Sequence, residues 1–189
     1  MNFKTKIKTI VVSVTYLTTL VLFQNCERDD ICAESTPTTP RLLVEFYNIN
    51  EQDELKTVPR LTVYGEGLAL NPTDDNIDGT LVYNTNASAV ELPLIVGIEN
   101  ETTTTRFVLE KDTNLRLDDN TSTNSNIDII TISYETEFVY VSRACGYKSI
   151  FKNLEVTFEA FDGSTWISNI IESVENVENE NTVHVQILH

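Results

Sequence analysis

Leu154-Glu155-Val156-Thr157-Phe158-Glu159-Ala160 alternates apolar and polar residues with a period of two. Successive side chains on a strand point to opposite faces, so this pattern is what a strand shows when one face is buried and the other is wet. Leu154, Val156, Phe158 and Ala160 are expected inward, and Glu155, Thr157 and Glu159 outward. Downstream, Asp162-Gly163-Ser164 breaks the chain. Trp166 to Val177 reads two ways. Ile167, Ile170, Ile171 and Val174 have helical spacing, whereas the β-branched content favours a strand. Thr182 to Leu188 is a further strand, with Val183, Val185 and Ile187 inward and His184 toward solvent.

Upstream the same period recurs. Asp128 to Tyr134 and Glu137 to Ser142 read as two strands separated by Glu135-Thr136. Lys111 to Asn126 is too polar for a core element. Thr104 to Glu110 and Glu91 to Ile98 read as a pair joined by Glu99-Asn100-Glu101. Leu81 to Tyr83 is short, and Asn71 to Gly79 is a polar loop. Val58 to Tyr64 has Leu61 and Val63 on one face, Arg60 and Thr62 on the other. Arg41 to Tyr47 places Leu42, Val44 and Phe46 together. Eight or nine short strands with polar turns and no long amphipathic helix predict an all-β fold, a single antiparallel β-sandwich of the immunoglobulin-like or a similar kind. The expected organisation is a signal peptide at 1–25, an acidic Pro/Thr-rich tether at 26–40 and the β-sandwich domain at 41–189. Glu34-Ser-Thr-Pro-Thr-Thr-Pro40 supports the tether, because its prolines hold it extended.

The N-terminal region has a different composition. Lys4, Lys6 and Lys8 precede an apolar stretch from Ile10 to Phe23, shorter than the roughly 20 residues of a membrane span and laid out like a signal peptide. Cys26 follows at once. An apolar segment that runs into a cysteine resembles a bacterial lipoprotein signal, in which Cys26 becomes the lipidated first residue. Gln24-Asn25 depart from that pattern, since small residues usually occupy those positions. An ordinary secretory signal with an incidental cysteine is the alternative. Glu27-Arg28-Asp29-Asp30 resembles the acidic tag that directs lipoproteins of the Bacteroidota to the cell surface, and reads equally well as a solvated tether.

The formal charge is −16. Without the first 25 residues, 10 basic residues face 29 acidic ones, a net −19. Such a field repels nucleic acid, which is excluded as a partner, and also anionic headgroups. With 41% apolar residues the chain can bury one ordinary core.

If Cys26 carries lipid, Cys32 and Cys145 remain as an even pair, read as a disulfide in an oxidising compartment. Loop-closure entropy would then contribute about 4 to 5 kcal/mol. Cys145 as a nucleophile is the competing reading: Arg143 and Lys148 would lower a thiol pKa, but the only histidines available as a base are His184 and His189. Asp74, Asn76 and Asp78, followed by Gly79, match the start of a calcium loop. Thr85 stands where the closing bidentate Glu belongs, so a β-turn is the plainer reading. Trp166 and the tyrosines could stack on a sugar or fill the core. No nucleophile elbow, phosphate-binding glycine loop or zinc spacing occurs.

Cys26-Glu-Arg-Asp-Asp-Ile-Cys32, Thr36-Pro-Thr-Thr-Pro40, Leu43-Val-Glu-Phe-Tyr47 and Ser142-Arg-Ala-Cys-Gly-Tyr147 together resemble a flavobacterial (Bacteroidota) lipoprotein family catalogued as a domain of unknown function. The resemblance implies a lipid-anchored envelope protein, and implies no activity, cofactor or catalytic residue. The expected function is a non-enzymatic interaction or structural module of the outer membrane, periplasmic or cell-surface facing. The alternative is a glycan-binding accessory lipoprotein, stabilised by calcium. An exposed row of aromatic residues would favour the alternative.

Overall fold

Ten strands make up the sheets among the described residues, which in this computed structural model are 14–16, 31–36, 38–68, 80–114 and 124–189. They are β1 (Leu42–Asn48), β2 (Glu51–Leu55), β3 (Val58–Gly65), β4 (Thr80–Ala87), β5 (Ala89–Leu92), β6 (Thr102–Lys111), β7 (Asn126–Ser142), β8 (Gly146–Ala160), β9 (Asn169–Glu172) and β10 (Val185–Leu188). One sheet runs β2-β1-β10-β9, with β5 also on β1; the other runs β4-β3-β6-β7-β8. Every registered pair is antiparallel except β1 with β10, where Val44 faces Val185 and Phe46 faces Ile187. The expected all-β sandwich is what the chain forms.

Two compact units divide the chain. The large one is Pro37–Val141 with Tyr147–His189; the small one joins residues up to Thr36 to Ser142–Gly146. The core lies within the large unit. Leu42, Val44 and Phe46 from one sheet meet Leu61, Leu109, Ile130, Ile132 and Phe151 from the other in one cluster. Each such side chain is worth about 1.5 to 3 kcal/mol of transfer free energy, so the layer between the sheets dominates the folding of this unit.

The β8 alternation is as expected at Leu154 and Val156, which are buried, while Ala160 at its end is exposed rather than inward. Asn153 takes a positive φ of 55°. A left-handed residue resets the side-chain phase of a strand, which is why Phe151 and Leu154, three apart, are both in the core.

Several expectations are corrected by pairing that is distant in sequence. Glu135-Thr136 does not separate two strands: β7 runs through it for 17 residues. Thr136 is fully buried, and its hydroxyl accepts from Gly97 N. Glu91 to Ile98 does not pair with Thr104 to Glu110; β5 lies on β1, and β6 lies between β3 and β7. Thr62 does lie on the face opposite Leu61 and Val63, but that face is covered: Thr62 is fully buried, its hydroxyl accepting from Asn84 N and from Thr113 Oγ1. Trp166 to Val177 opens with a corner that places Trp166 and Ile167 in the core and continues as the short β9, so the strand reading holds there over Asn169–Glu172.

Candidate functional site

The longest strands are β7 and β8, of 17 and 15 residues, joined by a three-residue turn that only an antiparallel pair allows. β6 accompanies β7 only as far as Glu135. Beyond that point the hairpin runs on without β6, and exposure along one face of β7 rises from 1% at Tyr134 and 0% at Thr136 to 40% at Phe138 and 58% at Tyr140. Tyr140 meets Tyr147 of β8 edge to face, ring centroids 5.4 Å apart, and Tyr147 is 67% exposed. Phe138 is two residues from Tyr140 and so shares its face. The core face of the sheet thus continues outward as an aromatic face open to solvent.

Sequence reasoning did not pick out this face. Phe138-Val-Tyr-Val141 has no polar alternation at all, and that was the available signal: a strand with no wet side must either be covered twice or leave an apolar side exposed. Here Val139 and Val141 are half-buried and the aromatics are exposed.

The turn between these strands belongs to the small unit. Cys145 is bonded there to Cys32, Cα atoms 4.8 Å apart across 113 residues of sequence. The expected disulfide is therefore present, and Cys145 has no thiol to act as a nucleophile. Cys145 N donates to Ser142 Oγ at 3.0 Å, which closes the turn.

Two hollows open elsewhere on the large unit. One, of about 470 Å³, is lined by Leu68, Leu81, Ile95 and Phe107, with Glu66 and Arg106 among its walls. Arg106 is held there by Glu66 and Glu159, each at 2.6 Å, and these carboxylates push its pKa up. Its charge is spent on them, so the hollow offers an anion little. The second hollow, of about 510 Å³, is lined by Asn126, Asp162 and Ser164 beside Phe161; Asp162 is already engaged by Ile127 N and Ser164 N.

The histidines are corrected. His184 is 2% exposed instead of facing solvent. Leu43 N donates to its Nδ1 at 2.8 Å, and Nε2 lies 2.8 Å from Asn179 O, so the neutral ring carries its proton on Nε2. Burial holds its pKa below the usual value. His189 packs edge-on against Trp166, centroids 5.5 Å apart. The core reading of Trp166 is the observed one: its indole N–H donates to Leu109 O. Asp128, unmarked in the sequence, is wholly buried, and its Oδ2 accepts from Thr165 Oγ1, Trp166 N and Ile167 N at 2.8 to 2.9 Å.

Cys26 and the candidate calcium residues Asp74, Asn76 and Asp78 lie outside the described residues. Among the described residues no three His, Cys, Asp or Glu side chains gather as a metal site, and no helix is long and apolar enough to cross a membrane.

Residues 60–189 match the family described as "Family of unknown function (DUF6452)". The chain belongs to DUF6452. The DUF6452 match takes in Cys145 and the whole aromatic hairpin, and it begins after Cys26, Cys32 and β1. No curated protein matches the chain, and no solved structure does.

Proposed function

We propose that this protein is a lipid-anchored, non-enzymatic interaction module of a bacterial outer membrane, held through Cys26. The observation that carries the reading is the Cys32–Cys145 bond. A structural disulfide belongs to an oxidising compartment outside the cytosol. It also occupies both other cysteines, leaving Cys26 single at the end of the apolar Ile10–Phe23 stretch. That is the arrangement of a lipoprotein signal, apart from Gln24-Asn25 where small residues are usual. The envelope of a flavobacterium, on the periplasmic or the cell-surface side, suits the acidic Glu27–Asp30 run. The occupied Cys145 and the neutral, fully hydrogen-bonded His184 remove the obvious nucleophile and base, which supports a binding role over catalysis. Mass spectrometry of the mature N-terminus tests the anchor: a diacyl or triacyl mass on Cys26 is expected, and an unmodified Cys26 or cleavage elsewhere overturns it.

A second reading has its own observation. The exposed rings of Tyr140 and Tyr147 are apolar faces of the kind on which a sugar ring stacks, so a glycan-binding accessory lipoprotein, with calcium at Asp74, Asn76 and Asp78, is the alternative function. Calcium-dependent retention on envelope polysaccharide, lost in Tyr140→Ala, would establish it.

A further inference from the structure

A lipid anchor leaves unspecified which side of the domain meets the membrane, and we infer that the aromatic face of the β7–β8 hairpin, formed by Phe138, Tyr140 and Tyr147, rests in the headgroup layer of the bilayer that holds Cys26. This rests on the lipid-anchor reading, and three observations carry it further.

The first is covalent reach. Six residues lead from Cys26 to Cys32, at most about 3.6 Å each, or roughly 20 Å in all. Cys32 is bonded to Cys145, and Tyr147 follows two residues later. Chain connectivity alone keeps Tyr147 within roughly 30 Å of the anchored residue at full extension, and nearer when the tether is relaxed. Phe161, as exposed as Tyr147, has no such link.

The second is the chemistry of the face. Tyrosine has an apolar ring and a polar hydroxyl, and it concentrates where hydrocarbon meets water. Phe138, Tyr140 and Tyr147 carry no charge, and two of them already touch.

The third is charge. Between Glu137 and Glu155 the chain has Arg143, Lys148 and Lys152 and no acidic residue. Lys152 is paired with Glu137, whereas Lys148 donates to a neutral acceptor, Glu178 O, and so keeps its charge. Glu99, which accepts from Phe138 N, and Glu137 flank the hairpin. In a mature chain of −19 it is the longest acid-free run, 138–154, with Lys148 as the cation it can turn to an anionic headgroup surface. The more acidic remainder of the domain is then turned toward water, where salt screens its charge over about 8 to 10 Å. The hairpin acts as the second contact that fixes the orientation of a domain already tethered by its lipid.

Tyr140→Trp in the full mature chain reports on this. Trp166, the single native tryptophan, is buried and serves as an unquenched background. In phosphatidylethanolamine–phosphatidylglycerol vesicles with brominated acyl chains, the emission added at residue 140 should fall roughly twofold or more. Unchanged emission overturns the inference. Mass spectrometry of the same preparation reads Cys26 independently, so loss of the anchor reading and loss of the contact face are separate results. Hydroxyl-radical footprinting of the unsubstituted chain gives a second measurement: vesicles should protect Tyr140 and Tyr147 while Phe161 stays reactive. Emission at 140 that responds to soluble oligosaccharide and not to vesicles assigns the face to glycan and overturns the membrane contact.

Discussion

Asp128 Oδ2 gathers three donors from a corner 37 to 39 residues away, and so fixes Trp166 and Ile167 against the core. Burial pushes the carboxyl pKa up while those three bonds pull it down. Asp128→Ala would leave two buried backbone N–H groups without an acceptor, while the Thr165 hydroxyl keeps Ile167 O, at about 1 to 3 kcal/mol for the first group left unpaired and more for the pair. Asp128→Asn keeps one carbonyl acceptor and should lose less than half as much. Urea unfolding of both variants checks this: equal losses would mean that the corner is held by packing alone. A lone Asp ahead of Ile129-Ile130 gives no hint of such work in the sequence, because its partners are set by the fold and not by its neighbours. His184 failed for a related reason. Alternation placed it correctly on a face, but that face is covered, by Leu43 on one side and Asn179 on the other.

Among the elements, the β7–β8 hairpin shows how far local signals reach. The strand was legible at both ends of β7, in Asp128 to Tyr134 and in Glu137 to Ser142. Its continuity was not, because the polar Glu135-Thr136 is accommodated by distant groups: Gly97 N on the Thr136 hydroxyl and Asn100 N on its carbonyl. The disulfide at the hairpin turn was legible from cysteine arithmetic once Cys26 was set aside. Cys145→Ser opens a 113-residue loop, and the expected cost is 2 to 5 kcal/mol, read as a lower denaturation midpoint. Non-reducing peptide mapping should recover Cys32 and Cys145 in one linked pair. Two free thiols in the native protein would refute the bond.

At the scale of the molecule, acid should weaken the fold in two stages. His184 and His189 are held below 6.5 by burial. The unfolded chain therefore takes up protons first, so their contribution to stability is complete above pH 6.5 and shrinks as pH falls below it. Imidazole resonances titrating with midpoints below 6.5 are the expected readout. Glu180 is held at about 2, chiefly by the Arg41 guanidinium hydrogen bonds. Its contribution is complete above 4.5 and is lost as pH falls toward 2. Glu180→Gln should thus cost about 1 kcal/mol or less near neutrality, since the pair is partly exposed, and the difference from the parent should vanish in acid. The sequence by itself determined the strand class, the acidic net charge of −16 and the pairing of Cys32 with Cys145, because period, composition and cysteine count are properties of near neighbours or of the whole chain. The tertiary structure alone decided that β1 lies parallel to β10, that Glu135-Thr136 is crossed without a break and that Phe138, Tyr140 and Tyr147 are left uncovered. Each of these depends on where a second strand or sheet ends, and that boundary is written in residues far away along the chain.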